Sequence, residues 1–462
     1  MTNKELEKKL FLKRESSWIT YNKEETTKAL EFCEGYKTYI DNSKTERLCV
    51  KYSINLLEES GFKEMKSYSN LKVGDKFYKN IKGRALFAGI VGEDKDTFNI
   101  VGAHVDSPRL DLKPNPLFED SELALLKTHY YGGVKKYQWV NQPLSINGVV
   151  FTTDGREIPI SIGDRDDEPK FMIPDLLIHL SQEQAKKDGA KVVEGEQLNL
   201  IVGSIPVNDD EIKEKVKFAV LEYLYKNYNF IEEDFNSADI SITPAGKAMD
   251  IGFDRSLIAA YGHDDRVCAY PAIEVIRELK TPLKTAIVFL SDKEEVGSAG
   301  DTGADSNILL NLAIEYKELV GSAKDAHLIL EKSQAISSDV TAGVNPNFKD
   351  VHDLRNAPVL GKGVGIAKYT GSRGKSGAHD SGAEFVAYIR TIAKESNTAI
   401  QSTTMGKIDL GGGGTIAKYL SKYGMDVIDA GPALLGMHSP YEVASKVDIY
   451  SCFKLYKAFL ER

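Results

Sequence analysis

Two adjacent glutamates, Glu294 and Glu295, close the apolar run in "VFLSDKEEVGSAG" (288–300). Neighbouring side chains on extended backbone point to opposite faces, so the pair cannot share one task there. Four more short polar stretches stand beside apolar runs: His104-Val105-Asp106, Gly262-His263-Asp264-Asp265, Ser338-Asp339 and Met437-His438-Ser439. Each alone has an ordinary explanation. A His-x-Asp is usually a capped loop, a Glu pair suits a helix N-terminus, and Asp265 could cap the helix that follows it. Together they form a set of two histidines and several carboxylates without a cysteine, which suits zinc, manganese or cobalt. An ion held by such a set lowers the pKa of a bound water and polarises a carbonyl.

Positioning these groups takes a sheet whose strand ends converge. Near the N-terminus, "TTKALEFCEGYKTYIDNS" and "TERLCVKYSINLLEESGF" have helical spacing, the second stopping at Gly61. "ALFAGIVG" and "TFNIVGAHVDS" read as strands. From Pro108 to Asp250 the chain turns β-rich: "LSINGVVFTTDG" and "LNLIVGSIPV" are β-branched, with Asn-Gly and Asp-Gly turn signals. One helical piece, "PDLLIHLSQEQAKKDGA", lies among them, with His179 on its apolar face. Beyond Gly252 helices and strands alternate again: helix "RVCAYPAIEVIRELK", strand "KTAIVFL", helix "SNILLNLAIEYKEL", strand "HLILEKSQAISSD", strand "TAIQSTT", helix "GTIAKYLSKYG", strand "DVIDAG" and a final helix from Ser445. The pattern predicts an α/β chain with a mixed central sheet flanked by helices, interrupted by a β-rich insertion. Its parts are 1–107, the insertion 108–252, and 253–462.

Net charge is −9 with lysines and acids intermixed, so no basic stripe argues for nucleic acid and no polybasic helix for a membrane surface. The opening "MTNKELEKKLFLKRESSW" lacks the apolar core of a signal peptide, and no run is long enough to span a bilayer. The four cysteines are scattered, which predicts thiols in a reducing cytoplasm rather than disulfides or a thiolate zinc site.

The stretches "GAHVDSPRL", "GHDDR", "DKEEVGS", "SSDVTAGVNPN" and "GMHSPYEVAS" resemble, in order and over nearly the whole chain, the motifs of the M18 metalloaminopeptidases. The resemblance implies a zinc-exopeptidase type of fold and cleavage of N-terminal residues from peptides in the cytoplasm. It implies two divalent ions per subunit, zinc with manganese or cobalt as alternatives. His104 and Asp339 would hold one ion, Glu295 and His438 the other, and Asp265 would bridge them, with Asp264 an adjacent carboxylate able to take that place. Glu295 then grips a metal, which leaves Glu294 as the base that takes the proton of the attacking water and delivers it to the leaving amine. Asp106 would orient the His104 imidazole.

His179 sits in a context similar to one whose histidine, in this family, reaches a neighbouring subunit's site and touches substrate; the competing reading is a hydrogen-bonded core histidine. The family also assembles from dimers into a tetrahedral dodecamer, with the insertion making much of the dimer contact. "THYYGGVKKYQW" supplies aromatics suited to an interface. "DLGGGGTIAKYL" lacks the Lys-Ser/Thr of a P-loop, so its glycines are better explained by close backbone approach. "KYTGSRGKSGAHD" is a basic loop near which the family places substrate contacts. Acid-preferring members resemble one another in a histidine three residues after the aspartate ligand and in a Lys-Gly-x-x-x-Lys loop. Here the first position is Ala342 and the loop reads "KGVGIAK", with Lys368 one residue late. Loss of a cationic partner predicts that neutral or basic N-terminal residues are cleaved better than Asp or Glu. Two rival functions remain: a related dizinc carboxypeptidase or deacylase, and a catalytically silent assembly shell on the same fold.

Overall fold

The computed structural model describes all 462 residues. At its centre is a nine-stranded mixed sheet. Asp94–His104 lies in the middle, parallel to Lys284–Ser291 on one side and to Gln334–Ser337 on the other, with Asp426–Gly431 parallel beyond. Both faces of these strands are buried, and alternate residues enter different cores. Phe87, Ile100, Ile287 and Phe289 pack against the helices Ile308–Leu319 and Ala326–Glu331. Ala88, Val101, Val288 and Leu290 pack against Lys23–Asp41, Glu46–Glu59, His263–Glu278 and Lys446–Leu460. That arrangement explains why the strands read as unbroken apolar runs.

Between Arg109 and Pro244 the chain builds a separate six-stranded antiparallel sheet with its own core around Leu110, Trp139, Ile160 and Ile242. A third sheet of five short strands joins Leu257–Ala260 to Glu442–Ser445. The expected α/β architecture with a mixed central sheet and a β-rich insertion is therefore present. No helix is long and apolar enough to cross a membrane.

Four local expectations are corrected. "PDLLIHLSQEQAKKDGA" does not form a helix: it carries two single 3-10 turns, Ile178–Leu180 and Gln184–Lys186. Leu176, Leu177, Ile178 and Leu180 stay exposed, because their apolar stripe meets no partner within the chain. "HLILEKSQAISSD" is half helix, Ala326–Glu331, with the Asp325 side chain accepting from the His327 N–H; only Gln334–Ser337 is strand. Asn147-Gly148 is no turn but lies inside Leu144–Phe151. A Cβ on Gly148 would stand 2.0 Å from the Asp239 carbonyl oxygen of the next strand, so close approach explains the glycine. Finally, Lys215–Tyr228 is a helix that the β-branched and aromatic composition concealed; Val216, Val220 and Leu224, at four-residue spacing, face the insertion's core.

Candidate metal centre

The carboxyl edge of the central sheet gathers the polar stretches. His104 ends the Asp94–His104 strand, Glu294 and Glu295 occupy the 3-10 turn after Lys284–Ser291, and Asp339 follows Gln334–Ser337. Asp264 and Asp265 stand ahead of the regular helix with non-helical backbone, joined by a cis peptide bond; Gly262, at φ +76°, turns the chain into this kink, and Asp265 is the residue that directly precedes the helical run from Arg266. His438 sits at φ +66° in the turn before Glu442–Ser445.

Asp264, not Asp265, lies between the two histidines. Its Oδ1 is 3.1 Å from His104 Nε2 and its Oδ2 is 3.2 Å from His438 Nε2. Glu295 Oε1 is 3.5 Å from the same His438 nitrogen, and Glu294 Oε2 is 3.9 Å from His104 Nε2. Asp265 instead accepts from the His104 backbone N–H at 3.2 Å and groups with His104 and Asp339. The other ring nitrogens are committed to oxygen acceptors: His104 Nδ1 donates to the Asp106 carbonyl at 3.0 Å, His438 Nδ1 to the Gly133 carbonyl at 3.0 Å. Both rings therefore present Nε2 to the carboxylates, the orientation that a metal-ligating imidazole needs.

Asp106 is fully buried and does more than touch His104. Its carboxylate accepts the Glu294 and Glu295 backbone N–H groups, each at 3.1 Å, and the Tyr131 hydroxyl at 2.8 Å. It thus fixes the turn that aims both glutamates. Tyr131 is itself held from behind by Arg109, whose guanidinium lies 4.1 Å from the ring centroid.

The charge balance of the cluster fits a cation. Buried oxygens Oδ1 of Asp264, Oδ1 of Asp265 and Oε1 of Glu295 have no hydrogen-bond donor. The Asp264 oxygen is close to His104 Nε2 but lacks hydrogen-bond alignment, so proximity and satisfaction differ there. Burial raises the carboxyl of Glu294 to about 7, and raises those of Glu295 and Asp339 well above their usual range. Burial opposes the charge on His438, yet Asp264 and Glu295 lift its pKa to about 10; His104 is lifted likewise by Asp106 and Asp264. An anionic, nitrogen- and oxygen-lined, unsatisfied pocket is one that divalent ions fit.

The cluster unites His104, Asp106, Asp265, Glu294, Glu295, Asp339 and His438 from the sequence reading, together with Asp264, the neighbour that reading held able to take Asp265's place. It does not include His179, which takes no part in these contacts and lies on the exposed Ile178–Leu180 turn. The reading of His179 as a residue of an amphipathic helix face, or of a core, is thereby overturned. His263 is the core histidine instead, bonded to the Tyr36 hydroxyl at 2.6 Å and the Ile258 carbonyl at 3.1 Å, with burial lowering its pKa to about 4. Glu442, Tyr131 and Gly133 were missed. The signal for Glu442 was an acid amid buried alternation in "YEVAS"; "THYYGGVKKYQW" was read only as an interface, although Gly132-Gly133 passes directly over Glu295 and His438. Its Trp139 is buried, not an interface aromatic. A cavity of about 140 Å³ opens beside Asp339, walled by Tyr369, Arg373, Lys375, Thr403 and Met405. One wall comes from the two Gly-rich segments, where Gly371–Ser372 pairs with Gly412–Gly413. A Cβ on Gly412 would stand 2.4 Å from the Gly371 carbonyl oxygen, so close approach again explains the glycines.

An α/β sheet with a histidine–carboxylate cluster at its carboxyl edge is an arrangement suited to metal-dependent hydrolysis. The family model described as aminopeptidase I zinc metalloprotease (M18) matches residues 39–460. Over 453 residues the chain is 46% identical to the probable M18 family aminopeptidase 1 of Clostridium acetobutylicum, covering 96% of this chain and 97% of that protein. The crystal structure of an M18 aminopeptidase from Thermotoga maritima matches with a TM-score of 0.94 at 45% identity, over 98% of this chain and 100% of that one. The yeast mApe1 dodecamer shares the fold, with a TM-score of 0.75 at 22% identity over 94% of this chain and 96% of that one. This chain belongs to the M18 family. It is an aminopeptidase, a zinc metalloprotease acting on peptide bonds.

Proposed function

We propose that the cluster holds two divalent ions, zinc in the first place, and that Asp264 takes the bridging role the sequence resemblance gave to Asp265. His104 and Asp339 would complete one ion's ligands, His438 and Glu295 the other's, with Asp265 adjusting His104 and Asp339 from behind. The observation that carries this reading is Asp264 itself, a buried carboxylate with one oxygen facing each histidine. When bound, the ions supply Lewis-acid polarisation of the scissile carbonyl and a water acidic enough to ionise near neutral pH.

Glu294 takes the proton from that water and passes it to the leaving amine, since its carboxyl is beside the cluster and outside the ligand set. In the metal-free chain burial raises its pKa to about 7; nearby cations would lower it, keeping it ionised at neutral pH. Asp106 holds Glu294 in place through the backbone. The cavity beside Asp339 would receive the side chain of the substrate's N-terminal residue. Lys368 and Lys375 both pair with Asp380, at 3.5 and 2.6 Å, while Arg373 on the cavity wall makes no ion pair; the proposed preference for neutral or basic over acidic residues rests on Ala342 standing where acid-preferring members have a histidine.

The exposed apolar turn around His179 supports its placement at a neighbouring subunit's site in a dodecamer built from dimers through residues 108–252, inserted between catalytic parts 1–107 and 253–462. The four cysteines, all buried and unpaired, agree with a cytoplasmic location. Metal counting on the purified chain tests the two-ion reading: it expects two equivalents per chain, and one equivalent at saturating zinc contradicts it.

A further inference from the structure

The two chain segments that carry Asp264 and His438 run side by side as the paired strands Leu257–Ala260 and Glu442–Ser445, with Ala260 opposite Glu442. The Glu442 side chain is 1% exposed and lies at the junction of both. Its Oε1 accepts the His438 backbone N–H at 2.7 Å and its Oε2 accepts the Asp264 backbone N–H at 3.0 Å. One carboxylate therefore fixes the backbone of two residues that meet across the metal centre. His438 needs such support, because a non-glycine residue at positive φ is sparsely populated without it. Neither contact reaches an ion or a substrate, so the part Glu442 plays is indirect.

We infer that Glu442 is a positioning residue of the metal centre: by clamping the Asp264 and His438 amides together it sets the spacing of their side chains, and hence the affinity for the ion held by His438. This rests on the reading of Asp264 and His438 as ligands. A glutamine at 442 keeps the shape but offers one acceptor, and turns its amide donors towards the second N–H. Alanine offers neither bond.

The test is chelator competition with zinc, and titration of the metal-free chain with cobalt followed by its visible spectrum. These are run on the wild type, Glu442→Gln and Glu442→Ala, beside thermal unfolding of each metal-free form. In Glu442→Gln one equivalent, the ion held by His438, should lose affinity roughly 10- to 100-fold, the range for residues that orient ligands, with the other, which meets only Asp264 of the clamped pair, less affected. Its cobalt spectrum should change at that equivalent only, the metal-free melting temperature should fall by no more than about 4 °C, the cost of one buried N–H left facing an amide donor, and turnover should recover at saturating metal. Glu442→Ala, where it folds, should lose more than Glu442→Gln. If the wild type takes two equivalents and both affinities of Glu442→Gln stay within about twofold, the inference fails while the two-ion reading stands. Equal loss at both equivalents with a metal-free melting temperature lowered by more than about 4 °C also overturns it, as simple destabilisation. A wild type that takes one equivalent overturns the two-ion reading itself.

Discussion

Asp264→Asn and Asp265→Asn form the sharpest contrast available, because the two neighbours have the same chemistry and different surroundings. Asp264 faces imidazole nitrogens at 3.1 and 3.2 Å, and although burial opposes its charge, His104 and His438 hold its carboxyl below the usual carboxylate range. A unit charge at that separation is worth about 5 kcal/mol gross at an effective dielectric near 20. Removing the carboxylate also removes its own desolvation cost, so a net loss of about 2–4 kcal/mol in metal binding is expected. That corresponds to a roughly 30- to 1,000-fold weaker affinity for at least one ion. In Asp265→Asn the amide oxygen can still accept the His104 N–H that Asp265 now accepts at 3.2 Å. Its effect should stay below about tenfold, the low end for residues that orient ligands. Both variants are titrated against a zinc chelator, with metal content counted after dialysis. If Asp265→Asn strips an ion while Asp264→Asn retains both, the bridging role assigned from geometry is refuted and passes to Asp265.

His179→Ala should lower turnover without lowering metal content. Mixing it with Glu294→Gln under subunit exchange should restore some activity; no restoration despite proven exchange would count against a shared site. With aminoacyl-nitroanilides, lysyl, leucyl and methionyl substrates should show higher kcat/KM than aspartyl ones, the missing cationic partner being worth about 2–5 kcal/mol if the pocket is dry. An aspartyl kcat/KM about tenfold above the others would sink this, and would assign the missing charge to Arg373 or Lys368. In the chelated protein Glu294 and Glu442 titrate upward of free carboxyls, to about 7 and about 8, and His438 rises to about 10. Through these groups the folded chain binds more protons than the unfolded one between roughly pH 4 and 10, so they destabilise the metal-free fold as pH rises, and bound metal removes that loss. The gap in melting temperature between zinc-loaded and chelated protein should widen from about pH 6 to about pH 8; a gap that narrows would contradict the sign.

The sheet and most of the cluster were legible because the chemistry sits where apolar strands end, and such ends are visible as a sudden change from apolar to polar residues. His104, Glu294, Glu295, Asp339 and His438 all carry that mark. The choice between Asp264 and Asp265 was not legible, because it depends on backbone angles, ψ 104° at Asp264 and φ −120° at Asp265, that a helix-start pattern does not announce. Nor was the Glu442 clamp, since a lone acid in a short strand shows nothing of the two amides it joins. The turn at His179 misled for another reason: apolar residues at helical spacing imply a buried face only when the same chain supplies something to bury it. Conversely, Lys215–Tyr228 forms a helix despite weak local preference because Val216, Val220 and Leu224 find a core to enter.

The central claim is that Glu294 moves the proton and Glu295 does not. The direct measurement is turnover together with metal content for Glu294→Gln at saturating zinc. Two ions should remain bound while turnover falls by about 100- to 10,000-fold, the usual share of a general base. Substantial activity with both ions in place would contradict the assignment.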